Sequence, residues 1–175
     1  MSTSGWYYPT KIVQYAEQPD EQTGHIPWTN PETLSILGSN YITTDGFVYR
    51  TSRYPKADLT TKTYFLQATV CLFENLTDPI KGIELKLDAD RGGRVMDETV
   101  QLCLKGQLIG ENQANTEVRR DKVYGGETDM WGLKALSPNS VMHNQFGVWL
   151  RFKSHDDFPH YSAVTISSIQ LRVHY

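Results

Sequence analysis

The chain has 175 residues and a formal net charge of -3, with a pI near 5.9: length for one domain, or one domain plus an arm, around a real core. So mildly acidic a chain is not built mainly to neutralise phosphates, which sets nucleic acid aside as a partner. The first twenty residues show neither the basic n-region nor the unbroken apolar h-region of a secretory signal, and no apolar run approaches the ~20 residues that cross a bilayer, so neither export nor a membrane partner is expected.

Residues 1 to about 60 contain GWYYP, PDEQTG and IPWTNP, with weak strand signal only in KIVQYA and FVYR. Much of this segment should therefore be extended or looped. An arm of such length is unusual in a compact monomer, and it rests on something, either its own sandwich or a neighbouring subunit. The expected division is an extended N-terminal arm over 1–27 and a β-sandwich domain over 28–175. Trp6, Tyr7, Tyr8 and Pro9, with Trp28, are the amphipathic side chains enriched at interface hot spots and form the expected contact surface. The competing reading folds these aromatics back onto their own domain.

From residue 63 onward the signal is alternation with a period of two, the mark of strands with one buried face. TYFLQATVCLF, residues 63 to 73, is apolar on both sides and reads as a central strand. GIELKLDA points Ile83, Leu85, Leu87 and Ala89 inward and Glu84, Lys86, Asp88 and Asp90 outward. ETVQLCLK points Val100, Leu102 and Leu104 inward, and QFGVWLRFK does the same for Phe146, Val148, Leu150 and Phe152. The closing run AVTISSIQLRVHY changes phase at Ser167-Ser168, from Val164 and Ile166 to Ile169, Leu171, Val173 and Tyr175, as a bulge or a late strand start would produce. No window carries a helical stripe, and 13 glycines and 8 prolines punctuate the chain. The expected fold is all-β: an antiparallel, jelly-roll-like β-sandwich of about eight strands.

Chemistry-bearing residues are scattered. Asp88 and Asp90 share one strand face, but Glu84 and Lys86 continue it as a solvated sheet surface. DADRGG, residues 88 to 93, half resembles a calcium loop without its further oxygen ligands, and its glycines equally fit a hairpin turn. HDDFPH groups His155, Asp156, Asp157 and His160 without the remaining ligands zinc prefers. His25, His143 and His174 are isolated, and no nucleophile sits in an elbow or dyad. Cys71 and Cys103 fall inside strands as small hydrophobes, so free thiols are expected over a disulfide. The sequon at Asn75 has no weight without a signal peptide. No enzyme activity, metal or cofactor is expected.

VYGGETDMWG, residues 123 to 132, is the stretch most like a site. Gly125 and Gly126 permit positive φ, Asp129 can accept from backbone amides across the turn, and Trp131 and Gly132 complete a cap on the core edge. The sharper reading exposes Trp131 to stack on a sugar, with Trp149 as a second platform and a glycan as ligand.

Taken in order, Trp28 to Pro31, IKGIELKLDA, VYGGETDMWGL, the stretch from Ser137 to Asn144, Phe146 to Val148 and the aromatic-ended last strand resemble a family of small β-sandwich virion proteins of tailed bacteriophages. The match spans about residues 28 to 175 and is most specific at Gly125, Gly126, Asp129, Trp131, Gly132 and Leu133. KALSPNSVMHNQ departs from the family's wording there. The resemblance implies a non-enzymatic part of the virion, a head decoration or cement protein or a neck or tail appendage. Its partners would be the major capsid protein or other virion proteins, as a homo-oligomer. A carbohydrate-binding module for host-surface recognition is the alternative from another class.

Overall fold

The computed structural model describes residues 2–16, 23–35, 41–44, 60–72, 75–91, 95–117, 120–154 and 163–175. In chain order the strands are β1 (Pro9–Tyr15), β2 (Thr23–Ile26), β3 (Trp28–Thr29), β4 (Ile42–Thr44), β5 (Thr60–Thr63), β6 (Phe65–Val70), β7 (Gly82–Arg91), β8 (Val95–Leu104), β9 (Gln107–Ile109), β10 (Asp121–Gly125), β11 (Phe146–Ser154) and β12 (Val164–His174). A 3-10 turn (Pro31–Ser35) and one short helix, α1 (Pro138–Val141), complete the described elements. The protein is an all-β sandwich.

One sheet has five strands in the order β10-β7-β12-β4-β3; the other has seven, with β6 between β1 and β11, β5 and β2 beyond, and β8 and β9 on the far side of β11. Pairing is antiparallel except between β2 and β5. The chain changes sheet on passing from β6 to β7, β7 to β8, β10 to β11 and β11 to β12, the crossing habit of a jelly roll. The strands outnumber the eight or so expected because β2, β3, β4, β5 and β9 hold two to four residues each, too few to show alternation.

The long strands bury the residues their alternation dictates. Ile83, Leu85, Leu87 and Ala89 of one sheet face Phe146, Val148, Leu150 and Phe152 of the other, all without exposed surface. In β12 the register with β7 slips between Ile166 and Ser168. That bulge keeps Val164 and Ile166 inward and then Ile169, Leu171 and Val173. A second slip, on β8 opposite Arg151 and Phe152, turns both Asp97 and Val100 inward.

Residues 2–15 are sewn into the sandwich. Ser2 and Ser4 donate their amides to the carbonyls of Tyr175 and Val173, and Tyr7 exchanges amide bonds with Leu171. Residues 2–7 thus extend the five-stranded sheet along the end of β12. The chain then crosses to the other sheet, where β1 pairs with β6 from Pro9 to Tyr15. β7 and β8, the strands that flank DADRGG, lie in opposite sheets and do not pair with each other among the described residues; the glycines for which a hairpin turn was expected, 92 and 93, lie outside the described residues. FVYR, residues 47–50, lies outside the described residues.

Gly147 shows why the FGV block needs its glycine: a Cβ there would collide with the Ala68 carbonyl of β6. Gly147→Ala is expected to destabilise by about 1–3 kcal/mol, read as a lower urea midpoint. Deleting residues 1–15 removes both β1 and the cover on β12, and is expected to give an aggregating chain without a cooperative thermal transition.

Candidate functional site

Residues 123 to 132 form a corner between the end of β10 and the start of β7. Gly125 (φ 76) and Gly132 (φ 73) adopt left-handed conformations, as does Trp131 (φ 54). Gly126 donates to the Ile83 carbonyl, and Ile83 donates back to Asp129 O at 3.0 Å. Asp129 Oδ1 accepts from the Trp131 amide at 2.7 Å, while Trp131 Nε1 donates to Ile83 O at 3.0 Å. Non-glycine residues pay roughly 1–2 kcal/mol for a left-handed backbone, and here burial of a whole indole offsets it. Trp131 has 0% exposure. A face with no solvent contact cannot receive a sugar, so Trp131 is removed as a glycan platform.

The acids do not converge. Asp90 is exposed, and Asp88 accepts from Arg120 Nε at 3.1 Å on an open surface. Among the described residues no group of three or more His, Cys, Asp or Glu side chains is placed to hold a metal. HDDFPH, residues 155–160, lies outside the described residues. His143 Nδ1 accepts from the Gln145 amide. His174, nearly buried, meets Thr3 through Nδ1 and Glu84 through Nε2 at 3.2 Å. Cys71 and Cys103 are free thiols.

Sequence reasoning missed a buried ionic knot between the sheets. Asp97, on β8, sits at 4% exposure. Its Oδ1 accepts from Arg91 Nε at 3.0 Å, and its Oδ2 from Lys122 Nζ and Tyr124 Oη, each at 2.6 Å. Arg91 also donates to Ala89 O and packs over the Phe152 ring; Lys122 also donates to Asn115 Oδ1. The signal was present: Arg91 continues the inward phase of Leu85, Leu87 and Ala89, where an apolar residue is expected. What the charge is for could be read only once β8 and β10 lay beside it.

The expected interface aromatics have mostly been taken into the fold. Trp28 is 3% exposed, its Nε1 donating to Tyr64 O and its ring edge-on to Phe152; buried against the opposite sheet, it has no face for a partner. Gln14 of β1 brackets the Trp28 backbone with both amide atoms. Pro9 is buried, Trp6 stacks on the Arg172 guanidinium at 4.3 Å, and Tyr7 packs against the core. Tyr8, at 42% exposure, is the member still turned to solvent.

The outer face of the seven-stranded sheet is different. Tyr15, 43% exposed, stacks on Trp149 at 5.5 Å and 16°, and Phe65 tilts against the same indole at 5.1 Å. Arg151 lies over Phe65 at 4.4 Å, a desolvated cation–π contact. Its Nε donates to Thr63 O and lies 3.1 Å from Glu98 Oε2. Trp149 is half-buried, and its Nε1 is shielded from water without a hydrogen-bond partner among the described residues. With its faces taken by Tyr15 and Phe65, Trp149 serves as the support of a plate rather than the plate itself.

No family model matches the chain, and no curated protein does. Among solved structures it is similar to a chain of the Glycosylation Associate Protein (Gap123) complex from Streptococcus agalactiae, at 15% identity and a TM-score of 0.32. The likeness covers 98% of this chain and 26% of that one, so the chain spans about a quarter of that protein's length.

Removing the central acid strands two buried cations. Asp97→Ala is expected to cost about 3–5 kcal/mol in urea unfolding, the penalty for breaking one side of a buried pair. The thiols supply a second test. Burial pushes Cys103 up from 9.0 to about 12, against a small lowering from Gln67. Its neutral form stabilises the fold below pH 9.0, and that contribution is lost as pH rises from 9.0 toward about 12. Burial, then Asp97, push the Tyr124 phenol the same way. Stability should therefore fall steadily through this alkaline window, and a thiol reagent should label Cys71 in the native protein but Cys103 only after unfolding.

Proposed function

We propose that the chain is a non-enzymatic structural component of a tailed-bacteriophage virion, a head decoration or a neck or tail piece held by contacts between sheets. The observation that carries the reading is that two of the edge strands, β10 and β9, turn an apolar side chain to solvent. Among the described residues β10 pairs only with β7 and β9 only with β8. Each edge turns an apolar side chain outward: Val123, 57% exposed, and Leu108, 43% exposed. Unpaired edge amides beside exposed apolar groups are what symmetric neighbours cover on assembly. The order of the Trp28 to Pro31, VYGGETDMWGL and Phe146 to Val148 blocks supports the same reading. The partners are virion proteins, the major capsid protein included, and further copies of this chain, and the place of action is the particle.

The mode of attachment departs from the sequence expectation that the N-terminal arm, together with the sheet edges, binds the particle. With residues 2–15 hydrogen-bonded into both sheets, detaching them would expose the end of β12 and one flank of β6. The edges are left as the contact surface.

Quantitative mass spectrometry of purified particles tests this. The chain is expected in stoichiometric amount, in hundreds of copies for head decoration and about six or twelve for a neck or tail position. Val123→Lys with Leu108→Lys, both on the surface, should leave the melting temperature within a few degrees and abolish incorporation. Absence from the particles, or normal incorporation of the double variant, would overturn the proposal.

A further inference from the structure

Across β1, β6 and β11 the outward side chains form rows. Lys11, Thr69 and Gly147 lie abreast, then Val13, Gln67 and Trp149, with Tyr15 opposite Phe65 at the end. Gly147 contributes no side chain, so the first row is low beside the Trp149–Tyr15 stack. A groove of about 180 Å³ opens there, bordered by Lys11, Tyr15, Gln67, Lys105, Asn144 and Gln145.

We propose that this groove binds an acidic saccharide. Tyr15 offers a rigid plate, held from beneath by Trp149, for the apolar C–H face of a pyranose. Gln67, Asn144 and Gln145 bring amides that both donate and accept, as ring hydroxyls do. Lys11 and Lys105 are exposed and make no ion pair among the described residues, and no acid borders the groove. The local field is thus positive on a chain of net charge -3, and it favours a sugar bearing a carboxylate over a neutral one. An extended peptide is disfavoured, because β6 on the floor is paired on both sides and offers no main-chain groups for strand addition. The volume lies below the roughly 300–1,000 Å³ of cofactor and drug pockets, which suits a terminal sugar.

The inference stands apart from the virion reading, and its test uses the isolated full chain, so either can fail alone. Titration calorimetry with 3'-sialyllactose and with trigalacturonate, against lactose as the neutral control, should show saturable binding of at least one acidic probe, weakened by salt, and tighter than lactose. Tyr15→Ala should weaken it by about tenfold or more. Tyr15→Phe, which keeps the plate, should restore it, and so serves where the alanine variant folds poorly. Lys11→Gln with Lys105→Gln should erase the preference over lactose. No binding of either acidic probe, equal binding of lactose by the native chain, or acidic binding indifferent to both the Tyr15 and the lysine variants would overturn the proposal.

Discussion

The position of one sheet over the other depends on a carboxylate out of water. Asp97 of β8 is met from the facing sheet by Arg91 at the end of β7 and by Lys122 and Tyr124 of β10. A buried charge is tolerated only with its partners in place, and losing one side of such a pair costs several kcal/mol. Apolar side chains between sheets tolerate sliding, because burial is not directional. The ionic knot does not: a slip of one residue in β7, β8 or β10 would send a charged group outward and leave another unpaired within. Three strands from two sheets thereby share a single register.

The other closures follow from the same need to bury edges and satisfy backbone groups. The end of β12, left uncovered where β4 stops, receives residues 2–7. At the opposite rim Gln14 holds the Trp28 backbone across the gap between sheets, and the corner at 125–132 fastens Ile83 through Asp129 and Trp131. Aromatics that look like contact residues in the sequence are spent on this closure. Among the described residues, the large apolar side chains left outside are Tyr8, Tyr41, the edge-strand residues Val123 and Leu108, and the Tyr15 plate above its groove. Function on such a sandwich belongs to those surfaces.

Legibility followed length and phase. β7, β11 and β12 are long enough for alternation to declare both strand and buried face, and even the β12 bulge at Ser167-Ser168 is written as a phase change. The turn residues Gly125 and Asp129 were readable because left-handed backbone and short acceptors have few residue choices, but the other left-handed positions of the turn fell on Trp131 and Gly132 and not on Gly126. Strands of two to four residues were not, and neither was β1, whose KIVQYA alternates too weakly to be told from an extended arm. Tryptophan was the least legible residue: Trp28, Trp131 and Trp149 read alike in sequence, yet two are buried and one supports an exposed tyrosine.

By itself, then, the sequence determined that this is an antiparallel all-β chain, which faces of its long strands are buried, and where its sharpest turn falls. Those properties are set by neighbours two to four residues apart along the chain. The tertiary structure alone decided that Asp97 meets Arg91, Lys122 and Tyr124, that the N-terminus closes β12, and that Lys11, Tyr15, Gln67 and Lys105 border one groove. Each of these joins residues from different strands, and their meeting depends on strand order and register, which short-range pattern does not encode.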